Sequence, residues 1–152
     1  MKKFFLGFKY AASGLSLVIK NEVNFRVHIV MAIYVIFFGI IGRVSSTEFA
    51  VLCALIALVM SLELINTALE VTADRITKEK DNAIRKIKDL SAGAVLISAI
   101  FAAVAGLHIF LQQQVLDTVF TLFGNEPAVL IGFLISIPIA LFFMFYQKKS
   151  EQ

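Results

Sequence analysis

Charged residues are scarce in this chain. Only 16% of its 152 residues are Asp, Glu, Lys or Arg, whereas soluble domains commonly carry about 25%. Hydrophobic residues make up 59% of the chain, and the mean hydropathy is +0.87. These values exclude an ordinary soluble domain and indicate one domain whose solvent is largely lipid.

Cysteine and proline are also rare. The single cysteine, Cys53, stands in an apolar run, and a lone cysteine excludes an internal disulfide framework. Two prolines and eight glycines leave no low-complexity linker between separate units. The net charge of +3 is small, and we expect no nucleic-acid partner.

Four long runs of residues are uncharged. They cover residues 27–42, 49–62, 90–116 and 127–147. A helix needs about 20 apolar residues to span a bilayer, and the last two runs have that length. The first two reach it when the polar residues beside them lie at the membrane interface. The sequence therefore predicts an all-α helical bundle with four transmembrane helices.

The basic residues divide unequally between the two sides of the membrane that this topology defines. With a cytoplasmic N-terminus, 13 of the 14 Lys and Arg residues are inside, in the N-terminal segment, the 75–88 connection and the C-terminus. Only Arg43 lies outside. An excess of Lys and Arg in cytoplasmic loops is the usual determinant of orientation. Both termini are therefore predicted to be cytoplasmic.

The N-terminal segment is predicted to form an amphipathic helix that lies on the inner leaflet. Its polar stripe consists of Lys2, Lys9, Ser13, Ser16 and Lys20. Most of the large apolar residues lie away from this stripe, as they do in helices at a membrane surface. A signal peptide is not expected, because the uncharged stretch 10–19 runs into charged residues without a small-residue cleavage site.

A row of polar residues interrupts the second span. The row consists of Glu63, Asn66, Glu70 and Asp74. Spacings of 3, 4 and 4 place all four on one helix face, along about 16 Å. Charge at the centre of a membrane helix costs roughly 3 kcal/mol per group, so the row is expected to run from the bilayer out to water. The segment 21–26 and the pair Lys88 and Asp89, directly before the third span, are predicted to lie at the same level.

Three interpretations fit this cluster of polar residues. Carboxylates, an amide and a nearby lysine are the groups with which phosphoryl transfer holds Mg²⁺, neutralises phosphates and deprotonates a hydroxyl. Acidic residues inside a membrane also mark proton or cation pathways. A polar seam that joins helices by hydrogen bonds would need no chemistry at all. The spacing alone leaves all three open.

Three segments of this cluster resemble the prokaryotic diacylglycerol kinase family, which includes the undecaprenol kinases. They are "NEVNFRVH" at 21–28, "ELINTALEVTADR" at 63–75 and "KIKDLSAGAVLI" at 86–97. The resemblance covers roughly residues 5–112. It implies an ATP- and Mg²⁺-dependent lipid kinase of the bacterial cytoplasmic membrane, which phosphorylates the hydroxyl of diacylglycerol or undecaprenol. It also implies a homotrimer with sites shared between subunits. A small proton- or cation-coupled transporter is the alternative.

The resemblance implies a role for each polar residue of the cluster. Glu63 would be the general base that takes the proton of the lipid hydroxyl. Glu22 and Glu70 would hold the Mg²⁺ bound to ATP. The residues that would bind or orient the nucleotide and its phosphates are Asn66, Asp74, Lys88 and Asp89.

Two features depart from the family pattern. Members of the family often have an aromatic–His pair where this chain has Lys80 and Asp81. They typically have three spans, whereas this chain is predicted to have four. We therefore predict a lipid kinase unit in residues 1–112, followed in residues 113–152 by an outer-side connection and an added fourth span.

Two short runs with small residues give more specific predictions. The run "SAGAV" at 91–95 is more similar to the undecaprenol-type branches than to the enterobacterial diacylglycerol kinases. In the fourth span, Gly132 and Ser136 are four residues apart, a spacing that lets helices approach closely in lipid. We predict that the fourth span packs on the outside of the catalytic bundle through this face.

Overall fold

The regular structure of the chain is helical throughout the part that the structure describes. The structure is a computed structural model that describes residues 2–76 and 81–146, with side chains from residue 4 onward. The helices are α1 (Lys2–Asn21), α2 (Val23–Ile41), α3 (Ser46–Ile76), α4 (Asn82–Phe110), α5 (Gln113–Asn125) and α6 (Pro127–Phe145). Four of them, α2, α3, α4 and α6, are long and apolar enough to cross a membrane. The predicted all-α class and its four spans are confirmed.

The four spans pack as a thin bundle in which most apolar surface faces outward. The pair α3 and α4 forms the most extensive contact, α2 lies against α3, and α6 lies against α2. No residue of α6 is fully buried. Large apolar side chains are exposed on every span, among them Met31, Leu58, Phe101 and Phe142. Such a surface suits lipid as the surrounding solvent, because lipid tails are as apolar as the side chains that face them.

The connection between α3 and α4 is shorter than the sequence predicted. Helix α4 begins at Asn82, so Lys88 and Asp89 lie inside it, and the prediction that they precede the third span was wrong. Asp81 sets this start, because its carboxylate accepts hydrogen bonds from two first-turn amides. Asp74 likewise belongs to α3, which continues beyond it. The change from apolar to charged residues in the sequence therefore does not coincide with the ends of α3 and α4.

The connection between α4 and α6 contains a further helix, α5. Helix α4 stops at Phe110 and α5 follows after a two-residue break, so the connection predicted to lead to the fourth span is largely helical. Gln112 in this break donates from Nε2 to Oε1 of Glu48 at 2.6 Å. The other oxygen of Glu48 accepts from both the amide and the hydroxyl of Ser45, which caps the start of α3. These bonds attach α5 to the beginning of α3.

Helix α5 packs closely against the C-terminal end of α2. Val115 of α5 is buried there, and a Cβ built on Gly42 would lie only 2.7 Å from its Cγ1 atom. Aromatic side chains from four helices also contact one another: Phe37, Phe38, Phe110, Phe123 and Phe133. Because a β-branched valine has little rotamer freedom, the absence of a side chain at Gly42 is what allows α5 to dock.

The fourth span packs through part of the predicted face. Ser136 lies 3.0 Å from the hydroxyl of Tyr34 on α2, and the neighbouring Phe133 contacts Phe37 and Phe38. A Cβ on Gly132, in contrast, would meet no atom within 4 Å. The prediction of close helix approach at Gly132 was therefore wrong. The aromatic rings keep the two helices apart, and a groove of about 480 Å³ lies between them.

Substitution of Gly42 tests the docking of α5. We expect Gly42→Ala to destabilise the protein by about 1–3 kcal/mol, because the added methyl group overpacks the contact with Val115. The measurement is thermal unfolding of the detergent-solubilised protein. Gly132→Ala is the matched control, and it should be neutral or stabilising by up to about 1 kcal/mol because its site is open. Equal effects of the two substitutions would contradict this account of α5.

Candidate active site

The polar row of α3 runs from the interior of the bundle to its surface. Glu63 and Asn66 are 3% and 7% exposed, Glu70 is half-buried, and Asp74 is exposed. Thr67, beside the row, is also buried. A carboxylate as deeply placed as Glu63 must have polar or charged partners, because burial of an isolated charge is costly.

Asn66 joins α3 to α4 through both atoms of its amide. Its Nδ2 donates to Oε1 of Glu70 at 3.0 Å, and its Oδ1 accepts from Oγ of Ser91 at 2.7 Å. The same Ser91 hydroxyl lies 2.9 Å from the carbonyl oxygen of Lys88. Ser91 was not among the predicted site residues, because the run "SAGAV" was considered only for its similarity to the undecaprenol-type branches. Its position three residues after Lys88, on the same helix face, was the signal that could have found it.

Lys88 and Asp74 form an ion pair between α4 and α3. Asp74 is exposed and Lys88 is half-buried. Pairs in contact with water contribute only about 0–1 kcal/mol to stability. The pair therefore does little to hold the two helices together, and its lysine can exchange Asp74 for another anion at small cost.

The joint between α1 and α2 brings further polar groups to Glu63. Asn24 lies close to the Glu63 carboxylate, and Glu22 and Glu70 are near enough for charge repulsion with it. Glu22 is the residue between the two helices, and it accepts no capping hydrogen bond with its side chain. Three carboxylates thus converge at the α1 end of the bundle. The contribution of Asn24 was not predicted, although it lies in the segment that the sequence analysis singled out.

Asp89, which was expected to bind the nucleotide, and Asp81, which departs from the family pattern, are engaged by other groups. Asp89 forms an exposed pair with Arg85 at 3.6 Å, four residues before it on α4. Asp81 caps α4 and its carboxylate is engaged by backbone amides. Lys80, the other departure from the family pattern, lies outside the described residues. The structure therefore groups Glu22, Glu63 and Glu70 with Asn66, and leaves Asp89 on the water side.

The donor set suits a metal ion that arrives with a phosphate ligand. Within residues 2–76 and 81–146, no group of three or more His, Cys, Asp or Glu side chains is placed to hold an ion by itself. Mg²⁺ bound with nucleotides commonly uses one or two carboxylates, and phosphate oxygens and water complete its shell. Glu22 and Glu70 fit that pattern, since both are half-buried and lie near Glu63.

An apolar groove adjoins the cluster along α3. It has a volume of about 230 Å³, and its walls come from α2, α3 and α4. Val59 and Met60 line it one turn before Glu63, and His28 of α2 is a polar group at its wall. A long apolar chain in this groove would have its end close to the buried carboxylate.

Comparisons with known proteins match the part of the chain that contains this cluster. A family model described as prokaryotic diacylglycerol kinase matches residues 9–110, which end with α4. An undecaprenol kinase of Bacillus subtilis is 36% identical over 113 residues, covering 74% of this chain and 92% of that protein. A diacylglycerol kinase of Synechocystis is 38% identical over 102 residues, covering 66% of this chain and 58% of that protein. A diacylglycerol kinase of Haemophilus influenzae is 32% identical over 90 residues, covering 59% of this chain and 76% of that protein.

Proposed function

The chain belongs to the prokaryotic diacylglycerol kinase family, and from that premise we propose that it transfers the γ-phosphate of ATP to the hydroxyl of a membrane lipid. The observation that supports this most directly is the convergence of Glu22 and Glu70 on the buried Glu63. Carboxylates gathered at the edge of a membrane favour a cation beside them, and Mg²⁺ bound to ATP would supply one. The comparisons establish a membrane lipid kinase; the use of ATP and Mg²⁺ and the residue roles are our proposal.

Glu63 is the proposed general base. It lies 3% exposed beside the apolar groove, where the hydroxyl of a lipid alcohol would arrive from the membrane. Glu63 takes the hydroxyl proton as the lipid oxygen attacks the γ-phosphorus, and the bond to the bridging oxygen breaks, so that ADP leaves with the electron pair. General-base catalysis of this kind contributes about 10²–10⁴-fold to the rate.

Glu22 and Glu70 are the proposed ligands of Mg²⁺, which when bound neutralises the charge of the phosphates. The bond from Asn66 occupies Oε1 of Glu70 and leaves its second oxygen for the ion. Asn66 is in turn fixed by Ser91, so the direction of Glu70 depends on both α3 and α4. This chain of bonds provides the fixed geometry that phosphoryl transfer requires.

The nucleotide is proposed to lie at the water side of these carboxylates. Lys88 would contact its phosphates after exchange with Asp74, and Asp74 would then be released toward another part of the nucleotide. Asp89, one residue further along α4, is exposed, and it would reach only the outer part of the ligand. Asn66 would contribute indirectly, by orienting Glu70.

The assembly and its orientation are also proposals. We propose a homotrimer in the bacterial cytoplasmic membrane with both termini in the cytoplasm, in agreement with the position of 13 of the 14 basic residues. Helix α1 would lie on the inner leaflet, since Phe4, Phe5 and Phe8 are all exposed in the single chain. Residues 1–112 would form the kinase unit, and α5 and α6 would be additions to it.

A transporter is not favoured by the distribution of polar groups. A proton or cation pathway needs a series of polar side chains across the membrane. On the far side of Glu63 from Asp74, Ser98 is the only buried polar side chain in the described part of the chain, and its hydroxyl lies 2.7 Å from its own helix at Val95. The polar groups therefore form a site at one end of the bundle and do not continue across it.

Undecaprenol is the substrate that we propose, with diacylglycerol as the second candidate. The similarity of "SAGAV" to the undecaprenol-type branches supports this choice. So does the match to the Bacillus subtilis undecaprenol kinase, which extends over 92% of that protein.

A phosphorylation assay in mixed micelles tests the activity and the substrate together. With ATP and Mg²⁺ present, we expect phosphate transfer to both lipids and a higher kcat/KM for undecaprenol. A higher value for diacylglycerol would contradict the substrate assignment alone. Transfer to neither lipid, with ion flux through proteoliposomes in the absence of ATP, would contradict the kinase and favour the transporter.

Removal of the proposed base should abolish most turnover. We expect Glu63→Gln to lower kcat by at least about 10²-fold, because the amide cannot accept the hydroxyl proton. The control in the lipid assay is Glu48→Gln. Glu48 lies at the α5 end of the bundle, where its carboxylate accepts the capping bonds from Ser45. Glu48→Gln should lower thermal stability and keep wild-type turnover. Near wild-type kcat in a folded Glu63→Gln variant would show that another group is the base.

Removal of a proposed metal ligand should change the Mg²⁺ requirement. We expect Glu70→Ala to raise the Mg²⁺ concentration needed for half-maximal rate by about 10-fold or more, because a carboxylate ligand is lost. Glu126→Gln, an exposed charge at the α5 end, is the control and should leave the Mg²⁺ curve unchanged. If the two variants give the same curve, Glu70 has only a structural role.

A further inference from the structure

Arg26 is a buried cation at the joint between α1 and α2. Only 4% of the surface of Arg26 is exposed. Nη1 donates to the carbonyl oxygens of Ile19 and Lys20 at 3.0 and 3.1 Å, in the last turn of α1. Nε donates to the carbonyl oxygen of Met144 at 3.0 Å, in the last turn of α6. One guanidinium therefore contacts the C-terminal ends of two helices.

These contacts are what make a buried arginine tolerable at this position. The last carbonyls of a helix have no intrahelical donor, and they lie at the negative end of the helix dipole. Among the described residues, no carboxylate forms an ion pair with Arg26. Arginine remains charged at all physiological pH values, and its planar fork matches several acceptors at once. The ends of α1 and α6 thus compensate the charge of Arg26 together.

Arg26 also makes hydrogen bonds with the backbone on both sides of Glu22. Glu22 is the single residue between α1 and α2, and its carbonyl oxygen accepts a bond of 3.4 Å from the amide of Arg26. Val18 and Phe25 are buried on either side of the joint. Because Nη1 of Arg26 binds α1 while its backbone belongs to α2, the guanidinium sets the angle between the two helices. The direction of the Glu22 carboxylate follows from that angle.

We propose that Arg26 is a positioning residue for Glu22 and that the C-terminal end of α6 holds it in place, so that the fourth span tunes the metal affinity of the site. This proposal rests on the proposed role of Glu22 in holding Mg²⁺. Helix α6 thereby has a function that its side chains do not indicate, because its contact with Arg26 uses the backbone carbonyl of Met144. It also revises the prediction that the fourth span only packs on the outside of the bundle.

The effect of α6 should be quantitative and not a requirement for folding. The Bacillus subtilis relative matches this chain over 92% of its own length within 113 aligned residues, which leaves too few residues for another span. A chain that ends after α5 therefore resembles a natural protein of the family. We expect such a chain to fold and to bind the metal more weakly.

The test measures metal binding separately from catalysis. Mn²⁺ binding is followed by electron paramagnetic resonance, in micelles that contain a non-hydrolysable ATP analogue, for four variants and for the combination of the two that break the link. Two of them break the link: Arg26→Gln, and a chain without residues 126–152. Two are controls: a chain without residues 147–152 retains Met144, and Tyr34→Phe removes the contact between α2 and Ser136 on α6 but leaves Arg26 untouched.

We expect both variants that break the link to bind Mn²⁺ about 10-fold more weakly, the scale found when a group that orients a metal ligand is lost. Their combination should be no weaker than the weaker of the two, because both cut the same link. At saturating Mg²⁺ the chain without α6 should recover most of its kcat. The two controls should keep the affinity of the intact chain, although Tyr34→Phe is expected to lower its thermal stability.

Several results would overturn the proposal. Unchanged Mn²⁺ affinity in folded variants would show that α6 does not act on Glu22, and additive losses in the combination would show that Arg26 acts without α6. If Arg26→Gln fails to fold, Arg26→Lys keeps the charge but cannot make all three bonds, and it replaces Arg26→Gln in the test. Failure of every link-breaking variant to fold would make the contact a requirement of the fold and would also overturn the proposal.

The proposed function fails differently. In that case the intact chain phosphorylates neither lipid, whatever its Mn²⁺ affinity. An intact chain that is an active kinase, together with link-breaking variants of unchanged Mn²⁺ affinity, contradicts only the positioning role of Arg26.

Discussion

Uncompensated charge at the edge of a membrane is unstable, and the α1 end of this protein is organised around that constraint. Glu63 is buried with Glu22 and Glu70 close by, and like charges in such a place oppose one another. Asn66 binds Glu70 and Asn24 approaches Glu63, but amides do not neutralise charge. In the proposed function, the cation that completes this arrangement is Mg²⁺, which would arrive with the nucleotide.

The two ends of the bundle differ in their buried polar residues. At the α5 end the contacts are apolar and close: aromatic rings from four helices pack together, and Gly42 allows Val115 to approach. At the α1 end the buried apolar side chains Val18 and Phe25 are accompanied by polar contacts that involve Asn66, Ser91 and Arg26. Most of the buried polar residues in the described part of the chain thus lie at the α1 end, whereas the aromatic cluster lies at the α5 end.

Helix α6 connects these two ends and lies outside the segment that matches the family model. Its first half contributes Phe133 to the aromatic cluster, and its last turn offers the carbonyl of Met144 to Arg26. An added helix can acquire such a contact without any particular side chain, because every helix ends in carbonyl groups that lack donors. This explains how a span of almost featureless apolar sequence can act on a polar site.

The sequence by itself determined the helical class, the four spans and the polar row of α3. Hydrophobic runs and a helical spacing of charged residues are local features, and they are visible without knowledge of the fold. It did not determine that Lys88 and Asp89 lie inside α4, because membrane depth and helix ends coincide only by chance. Only the tertiary structure decided that Ser91 reaches Asn66, that Gly132 stays open and that Arg26 binds Met144. Each of these depends on which helices become neighbours, and the last involves backbone carbonyls, which are the same in every residue and leave no trace in the sequence.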